Sequence, residues 1–211
     1  LTKQFTAPIN VAIPSGNFGN AYSAWFGRTH GLPINEILCS TNVNDVLRRF
    51  IDGGVLEPLV TQPSVAPSMD IQIPSSLERL IFDVSSETNS FYDQLQTNSK
   101  AQLDEKGVDG LKNVFSSVTF SDEMITTLIK SLHDEFAIIF DPHSVTSVQM
   151  ALDNDSSLPT VAVATASPEK FGNVISPLIK DFTETKIEEK EQYLTLSAKN
   201  AEIIEAIKAF V

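Results

Sequence analysis

A glycine-containing loop between a buried strand and a helix constrains the fold of this chain more than any other feature of its sequence. The strand is the β-branched apolar run INVAI at 9–13, and the helix is predicted over 21–30. A second apolar strand at 37–40 follows, and then a helix that a Gly-Gly pair at 53–54 ends. The order β-loop-α-β-α predicts parallel strands that are joined by crossover helices.

The rest of the sequence continues this alternation, and we predict an α/β fold with an open, mostly parallel sheet and helices on both faces. The polar stretch at 85–135 has helical periodicity in patches and predicts a helical insertion, not sheet. We predict an α/β core over 1–180 and a helical tail over 181–211. The other predicted elements are a loop at 55–69, a helix within 74–84, apolar strands at 137–140 and 160–164, and helices at 144–153 and 169–179.

The composition excludes several classes of partner. The 211 residues contain 15 Lys and Arg against 27 Asp and Glu, a formal net charge of −12, which a nucleic-acid backbone would repel. No apolar run approaches the ~20 residues that cross a bilayer, and no secretion signal is recognisable, so we expect no membrane partner. The single cysteine, Cys39, lies in an apolar stretch, and we expect it to be buried in a protein of the reducing cytoplasm. Because the first residue is Leu1, we expect the chain to be cut or processed.

The loop after the first strand predicts an anion site. Its residues are Ser15, Gly16, Asn17, Phe18, Gly19 and Asn20. Glycines let main-chain N–H groups approach a phosphate closely, and the following helix directs its unpaired N–H groups and positive dipole end to the same place. The side chains of Ser15 and Asn17 can add donors, whereas the alternative is a tight turn in which the glycines serve packing alone. The spacing fits neither a Walker loop nor the dinucleotide fingerprint.

Thr165 is the second candidate site residue, because it follows the predicted strand at 160–164. The carboxyl ends of parallel strands line the crevice in which open α/β sheets bind ligands. A hydroxyl there can form a hydrogen bond with a heteroaromatic nitrogen without adding a charge. The alternative is that Thr165 caps the helix that begins near Pro168.

Seven segments of the chain, taken together, carry a family resemblance. They are IPSGNFGNA at 13–21, GLPI at 31–34, STNVNDVLRRF at 40–50, PSMDI at 67–71, LERLIFD at 77–83, DPHSV at 141–145 and ATASPEKF at 164–171. In this order they resemble the second half of the threonine synthases, and most closely the longer microbial and fungal type. The resemblance spans most of 9–175 and is weak through 85–135 and after 180.

The resemblance implies a fold-type-II enzyme dependent on pyridoxal 5′-phosphate (PLP). Such a carbon–oxygen lyase converts O-phospho-L-homoserine and water into L-threonine and phosphate in threonine biosynthesis, with the cofactor as electron sink. The resemblance also implies that Thr165 pairs with the pyridine nitrogen and leaves it largely unprotonated. The implied phosphate cup consists of Ser15, Gly16, Asn17, Phe18 and Gly19, with Asn20 beside it.

The lysine that holds the cofactor covalently as a Schiff base has no match in this sequence. In the family it lies in a Phe-Lys-Asp-like motif well before the phosphate loop, whereas only Lys3, in LTKQ, precedes the loop here. None of the later lysines lies in such a motif. We therefore expect no catalytic residue and no metal ligand in this chain, no turnover by the chain alone, and a partner segment that corresponds to the family's N-terminal half.

Two positions depart from the family pattern. Ser167 stands in TASP where members usually have the histidine of TAHP, so the fine structure of the site differs. Ser75 and Ser76 stand where the family tends to have asparagine, and a serine can replace only part of the hydrogen bonding of an amide.

Other residues of the shared segments have open roles. The segment 42–45 resembles a wall of the active site. Arg48 and Arg49 could bind a substrate phosphate, but an ordinary ion pair is an equal alternative. For His143 of the DPH segment we favour a histidine with satisfied hydrogen bonds at a helix cap over a functional residue.

Three functions remain open at this stage. The first is the enzyme, a threonine synthase. The second is a non-catalytic threonine-synthase-like module that binds PLP or another phosphate ligand, and a substituted lysine in the remainder of the protein would favour it. The third is another fold-type-II enzyme, a dehydratase or a sulfhydrylase, against which the TNVND segment argues.

Overall fold

The computed structural model describes residues 7–85, 87–183, 197 and 199–210. The strands in these ranges are β1 (Ile9–Pro14), β2 (Ile34–Thr41), β3 (Val55–Leu56), β4 (Ala101–Gln102), β5 (Phe115–Thr119) and β6 (Thr160–Ala162). Four of them form a parallel sheet in the order β5-β2-β1-β6, while β3 and β4 form a separate antiparallel pair. Because all four strands are parallel, their carboxyl ends lie at one edge of the sheet.

Helices connect the strands. They are α1 (Gly19–Thr29), α2 (Val46–Gly53), α3 (Leu77–Val84), α4 (Thr88–Asn98), α5 (Glu105–Lys112), α6 (Asp122–Phe136), α7 (Ser144–Leu152), α8 (Gly172–Ile175) and α9 (Asn200–Phe210), with 3₁₀ turns at Pro67–Met69 and Pro168–Phe171. No helix within the described ranges has the length and apolar character to span a membrane. About half of the predicted tail lies outside the described residues, and the division of the chain at residue 180 stays a prediction.

The helices cover both faces of the sheet, as predicted. Side chains alternate between the two faces along each strand. Ile13 and Cys39 lie on the face that packs against α1 and α2, whereas Ala12 and Leu38 lie on the other face, against Met150 of α7. Cys39 is fully buried, and its burial raises the pKa of the thiol to about 12. The central strands β1 and β2 are therefore covered on both faces, whereas Val118 and Val161 of the edge strands are each 42% exposed.

The strand β5 contradicts the prediction that the stretch 85–135 contains no sheet. Phe115–Thr119 pairs with β2 at the edge of the main sheet. Its sequence, FSSVT, is too polar to resemble a buried strand, but the hydroxyl of Ser117 donates to the Cys39 carbonyl at 2.7 Å. A serine whose hydroxyl forms a hydrogen bond with the neighbouring strand does not oppose strand pairing. The prediction was wrong because it relied on the polar composition of the segment.

The predicted strand at 137–140 is also wrong. Ala137 ends α6 in the left-handed conformation, with φ 56°, and no strand follows it. The apolar side chains of Ile139 and Phe140 instead pack against a second core cluster that includes Ile129 of α6. The helix predicted over 169–179 is likewise shorter, because it consists of a 3₁₀ turn and the four residues of α8.

The N-terminal cap of α6 gives the first testable prediction. The Ser121 side chain accepts a hydrogen bond from the Met124 N–H at 3.2 Å, which satisfies one of the unpaired donors of the first turn. We expect Ser121→Ala to lower the free energy of unfolding by about 1 kcal/mol in chemical denaturation. Ser131→Ala, on the exposed face of the same helix, is the matched control, and an equal effect of the two changes would contradict the capping role.

Candidate functional site

A cleft of about 300 Å³ lies at the carboxyl edge of the sheet, where β1 and β6 end side by side. It brings together the two site elements that the sequence predicted, the loop after β1 and the residues after β6. The lining residues are Pro14, Ser15, Gly16, Asn17, Phe18, Gly19, Asn20, Ala21, Ser68, Met69, His143, Thr165 and Ala166. No side chain of this lining is a lysine or an arginine, so an anion held here would depend on main-chain donors.

The main chain of the loop is rich in free donors. Within the described ranges, no acceptor is bonded to the main-chain N–H groups of Gly16, Asn17, Phe18, Gly19 and Asn20. Phe18 is left-handed, with φ 68°, although its side chain is 1% exposed and packs on Phe115. A left-handed residue in a turn lets successive N–H groups converge, and α1 begins directly after it with no acidic residue in its first turn. The loop therefore has the properties of an anion site.

The two glycines of the loop differ in their surroundings. A Cβ at Gly16 would lie 2.5 Å from the carbonyl oxygen of Ser68 and 3.1 Å from the Cα of Met69. A Cβ at Gly19 would meet only the Ser76 hydroxyl, at 3.7 Å. Close packing therefore requires glycine at position 16, which agrees with the alternative that the glycines of the loop serve packing. At position 19, in contrast, packing leaves room for a methyl group.

Ser15 does not supply the donors expected of it. Its main-chain N–H donates to the Ser40 carbonyl at 2.8 Å, and its hydroxyl donates to the Ile13 carbonyl at 3.1 Å. The residue is 3% exposed and continues the pairing of β1 with β2. The free donors of the loop thus begin at Gly16.

Asn17 connects the loop to Ser75 and Ser76, the two serines that depart from the asparagine of the family pattern. Its side-chain oxygen accepts from the hydroxyl of Ser75 at 3.3 Å and from the Ser75 N–H at 3.4 Å. Its main-chain carbonyl accepts from the Ser76 N–H at 3.0 Å. The serines therefore position the loop, and the Asn17 amide nitrogen, which has no acceptor among the described residues, remains available to a ligand.

Thr165 is held at the cleft by its main chain and not by its hydroxyl. Its N–H donates to the Ser144 hydroxyl at 2.9 Å. Its own hydroxyl has no partner among the described residues, and the side chain is exposed. The 3₁₀ turn after β6 begins at Pro168 with Ser167 at its N-cap, so Thr165 does not cap it. A free hydroxyl therefore lines the cleft together with the donors of the loop.

His143 is a buried histidine whose two ring nitrogens are both bonded, as we favoured from the sequence. Nδ1 lies 2.9 Å from Oδ1 of Asp141, and Nε2 lies 3.0 Å from the Ser68 N–H. The ring also packs on Phe171, with 4.9 Å between ring centroids. Burial alone would raise the pKa of Asp141, but hydrogen bonds from His143 and Ser144 outweigh it and hold the pKa below its ordinary value.

The lowered pKa of Asp141 makes stability depend on pH. A carboxyl whose pKa is lower in the folded chain stabilises the fold above its unfolded value, and that contribution is lost as the pH falls through the folded value. For Asp141 the loss occurs below 3.8, the ordinary value. We expect Asp141→Asn to lose less free energy of unfolding than the wild type between about pH 5 and pH 2. Parallel losses in denaturant titrations across this range would contradict the assignment.

The segment 42–45 supports the wall of the cleft indirectly. The Asn42 amide nitrogen donates to Asp70 at 2.6 Å and to the Ser64 hydroxyl at 2.7 Å. The Asn44 amide nitrogen donates to Asp70 at 3.1 Å, and Asp70 also accepts from the Ser64 hydroxyl at 2.6 Å. This network ties the loop at 62–72 to the end of β2, and that loop carries Ser68 and Met69 into the cleft.

Arg48 and Arg49 form ion pairs away from the cleft. Both donate to the Asp45 carboxylate, at 3.0 and 2.9 Å, and Arg48 also pairs with Asp52 at 2.8 Å. Burial of Asp45 opposes ionisation, yet the hydrogen bonds from the two arginines lower the pKa of that carboxyl. The ion-pair interpretation of the two arginines therefore fits the structure, and neither side chain lines the cleft.

A second, larger depression of about 1050 Å³ lies beside α1, α3 and α4. Among the described residues its one cationic lining residue is Arg79, which lies over the ring of Tyr22, 5.8 Å from the centroid. Glu78, Asp83 and Glu87 line the same depression. Three carboxylates against one guanidinium disfavour a phosphate there, so the cleft at the loop is the better candidate for an anion.

Sequence reasoning missed the contribution of Ser68, Met69 and Ala166 to the cleft. Ser68 and Met69 enter through the 3₁₀ turn Pro67–Met69, which follows a loop without regular structure. The only signal for them was the PSMDI segment of the family resemblance, which gave no position in space. Ala166 directly follows Thr165 and enters the cleft with it.

Comparison with known proteins places the chain beside threonine synthases. Threonine synthase of Saccharomyces cerevisiae is 30% identical over 203 residues, which cover 85% of this chain and 40% of that protein. Threonine synthase-like 1 of Macaca fascicularis is 30% identical over 207 residues, which cover 93% of this chain and 27% of that protein. The structure of PLP-bound threonine synthase from Brucella melitensis superposes with a TM-score of 0.83 at 25% identity, covering 99% of this chain and 47% of that one. No protein-family model matches the chain.

These findings and the parallel sheet give the chain the α/β architecture of fold-type-II PLP enzymes. Over most of its length, the chain is a homologue of the threonine synthases. It spans 40% of the yeast protein and 47% of the Brucella chain, less than half of either.

Proposed function

We propose that the cleft binds PLP, with the cofactor phosphate on the main-chain donors of 16–20 and the pyridine nitrogen toward the Thr165 hydroxyl. The observation that carries this proposal is that five consecutive N–H groups in the cleft lining have no acceptor among the residues that the structure describes. A dianion would satisfy them, and the N-terminus of α1 favours negative charge at the same place. The neutral hydroxyl of Thr165 can donate to the ring nitrogen without adding a charge.

We further propose that the whole protein is a threonine synthase, which forms L-threonine and phosphate from O-phospho-L-homoserine and water. When bound, PLP supplies the electron sink for this chemistry. The residues of this chain hold the cofactor phosphate, orient the ring through Thr165, and close one side of the cleft with Ser68 and Met69. The homology to threonine synthases supports this proposal over a dehydratase or a sulfhydrylase.

The lysine that binds the cofactor covalently is proposed to come from a segment that corresponds to the N-terminal half of the family. No lysine of the described residues lines the cleft, and no lysine of the sequence lies in a Phe-Lys-Asp-like motif. The chain by itself is therefore proposed to bind PLP reversibly and without turnover.

The test separates binding from turnover. PLP titrated into the chain is expected to bind reversibly, without a borohydride-stable adduct and without phosphate release from O-phospho-L-homoserine. A polypeptide that joins this chain to a Phe-Lys-Asp-containing N-terminal segment is expected to release phosphate and form L-threonine. A stable adduct at one lysine of the chain alone, or an active site that works without the added segment, would contradict the proposal.

The second candidate is a non-catalytic module that binds PLP or another phosphate ligand. The similarity to threonine synthase-like 1 and the serine at position 167 favour considering it. The same joined polypeptide decides between the two candidates. Tight PLP binding without any phosphate release would support the module, whereas turnover would support the enzyme.

A further inference from the structure

We propose that His143 is a positioning residue that fixes one wall of the cleft by holding the main chain of Ser68. This inference rests on the proposed function, because it concerns the wall that faces the cofactor phosphate loop. The two residues are 75 positions apart in sequence, and one hydrogen bond of 3.0 Å joins them. Both line the cleft, so a change in this bond changes the shape of the site.

The partners of His143 determine where its proton lies. A main-chain N–H can only donate, so Nε2 accepts from Ser68 and carries no proton. Nδ1 therefore carries the proton and donates it to the Asp141 carboxylate at 2.9 Å. Because both nitrogens are bonded within the fold, the ring holds the wall and is not available as an acid or a base to a ligand.

The contact of Ser68 with the phosphate loop makes its position important. Its N–H is held by His143, while its carbonyl oxygen lies where a Cβ at Gly16 would come within 2.5 Å. The main chain of Ser68 is thus held between the histidine, which accepts from its N–H, and Gly16, which packs against its carbonyl oxygen. If the hydrogen bond is lost, the Ser68 N–H is an unpaired donor, and because the contact with Gly16 is already close, we expect Ser68 to move away from Gly16 and widen the cleft.

Two amide substitutions separate the two hydrogen bonds of the histidine. The oxygen of glutamine reaches as far from the main chain as Nε2, so His143→Gln can still accept from Ser68. The amide nitrogen of asparagine reaches only as far as Nδ1, so His143→Asn can still donate to Asp141 but leaves Ser68 without an acceptor. The pair differs by one methylene group.

The experiment measures the affinity of the folded chain for PLP in the wild type and in both variants. We expect His143→Gln to bind within about threefold of the wild type and His143→Asn to bind at least about tenfold more weakly. Hydrogen exchange is expected to accelerate in the peptide that contains Ser68 in His143→Asn and not in His143→Gln. If His143→Asn does not fold, hydrogen exchange in the two other proteins tests the contact. Slow exchange of the Ser68 amide in the wild type and in His143→Gln would then support the hydrogen bond from Ser68 to residue 143.

Each outcome bears on a different claim. Equal affinities in the three proteins, or a Ser68 amide that exchanges freely in the wild type, would overturn the inference about His143 alone. Absence of PLP binding by the wild-type chain would overturn the proposed function, and this inference with it.

Discussion

Replacing Asp70 with alanine is expected to lower the free energy of unfolding by about 3–4 kcal/mol. The Asp70 carboxylate accepts hydrogen bonds from the side chains of Asn42, Asn44 and Ser64 and from the Ser64 N–H. Asn42 is fully buried and Asn44 is 3% exposed, so the change removes a charged acceptor from a largely buried hydrogen-bond network, although both amide nitrogens keep other acceptors. Urea titration of the variant and the wild type measures the difference.

Asp52→Ala is the matched control for this prediction. Its carboxylate is 52% exposed and pairs only with Arg48 within the described residues, so we expect a loss of at most about 1 kcal/mol. We also expect Asp70→Ala to weaken PLP binding, because Asp70 ties down the loop that carries Ser68 and Met69 into the cleft. Equal losses in the free energy of unfolding of Asp70→Ala and Asp52→Ala would contradict the role of the Asp70 network in supporting the wall of the cleft.

Gly16→Ala is expected to lower the free energy of unfolding by about 2–3 kcal/mol, as an overpacked core position does. The new Cβ would lie 2.5 Å from the Ser68 carbonyl oxygen and 3.1 Å from the Met69 Cα, and these main-chain atoms cannot rotate away as a flexible side chain would. Either the loop or the 3₁₀ turn Pro67–Met69 has to shift. We expect PLP affinity to fall as well, because both of these elements line the cleft. Thermal and urea unfolding, together with a PLP titration, measure the two effects.

Gly19→Ala separates packing from binding. Its Cβ would have no contact closer than 3.7 Å, and α1 begins at this residue, so we expect stability within about 1 kcal/mol of the wild type. The added methyl group nevertheless stands in the lining of the cleft, and we expect PLP affinity to fall about tenfold or more. If Gly19→Ala bound PLP as the wild type does, the phosphate would have to lie elsewhere.

Local signals were sufficient to predict the β1-loop-α1 unit, whose loop lines the candidate cleft. This unit consists of an apolar β-branched strand, a loop with two glycines and a helix. All three follow one another within about twenty residues, so the sequence of one short segment predicts them together. Thr165 could be predicted for the same reason, since it directly follows an apolar strand. These local elements meet at one edge because parallel strands share the direction of their carboxyl ends.

The two wrong strand predictions have a common physical cause. The hydrogen-bond and packing partners of these residues lie far away in the sequence. The serines of β5 looked too polar for a strand, but Ser117 finds its acceptor in Cys39, 78 residues away. The apolar run at 137–140 looked like a strand, but Ile139 and Phe140 pack against a core cluster, Ile138 is 51% exposed, and the run does not pair in the sheet. The composition of a short segment gives neither the burial of each residue nor its hydrogen-bond partner.

The same limit applies to the wall of the cleft. Ser68 belongs to the site because His143 accepts a hydrogen bond from its N–H and Gly16 packs against its carbonyl oxygen, each from a distant part of the chain. No periodicity in the sequence expresses these contacts. Conversely, Ser15 belongs to the predicted motif, yet it uses both of its donors inside the fold.

The most direct test of this account follows the main-chain amide resonances of the ¹⁵N-labelled chain during titration with PLP and, separately, with inorganic phosphate. We predict that the amides of 16–20 shift most, that the shifts saturate, and that phosphate competes with PLP for them. Thr165 is expected to respond to PLP and not to phosphate. Amides of 16–20 that stay unchanged while those around Arg79 shift would contradict the account, because the anion would then bind in the depression beside α1, α3 and α4.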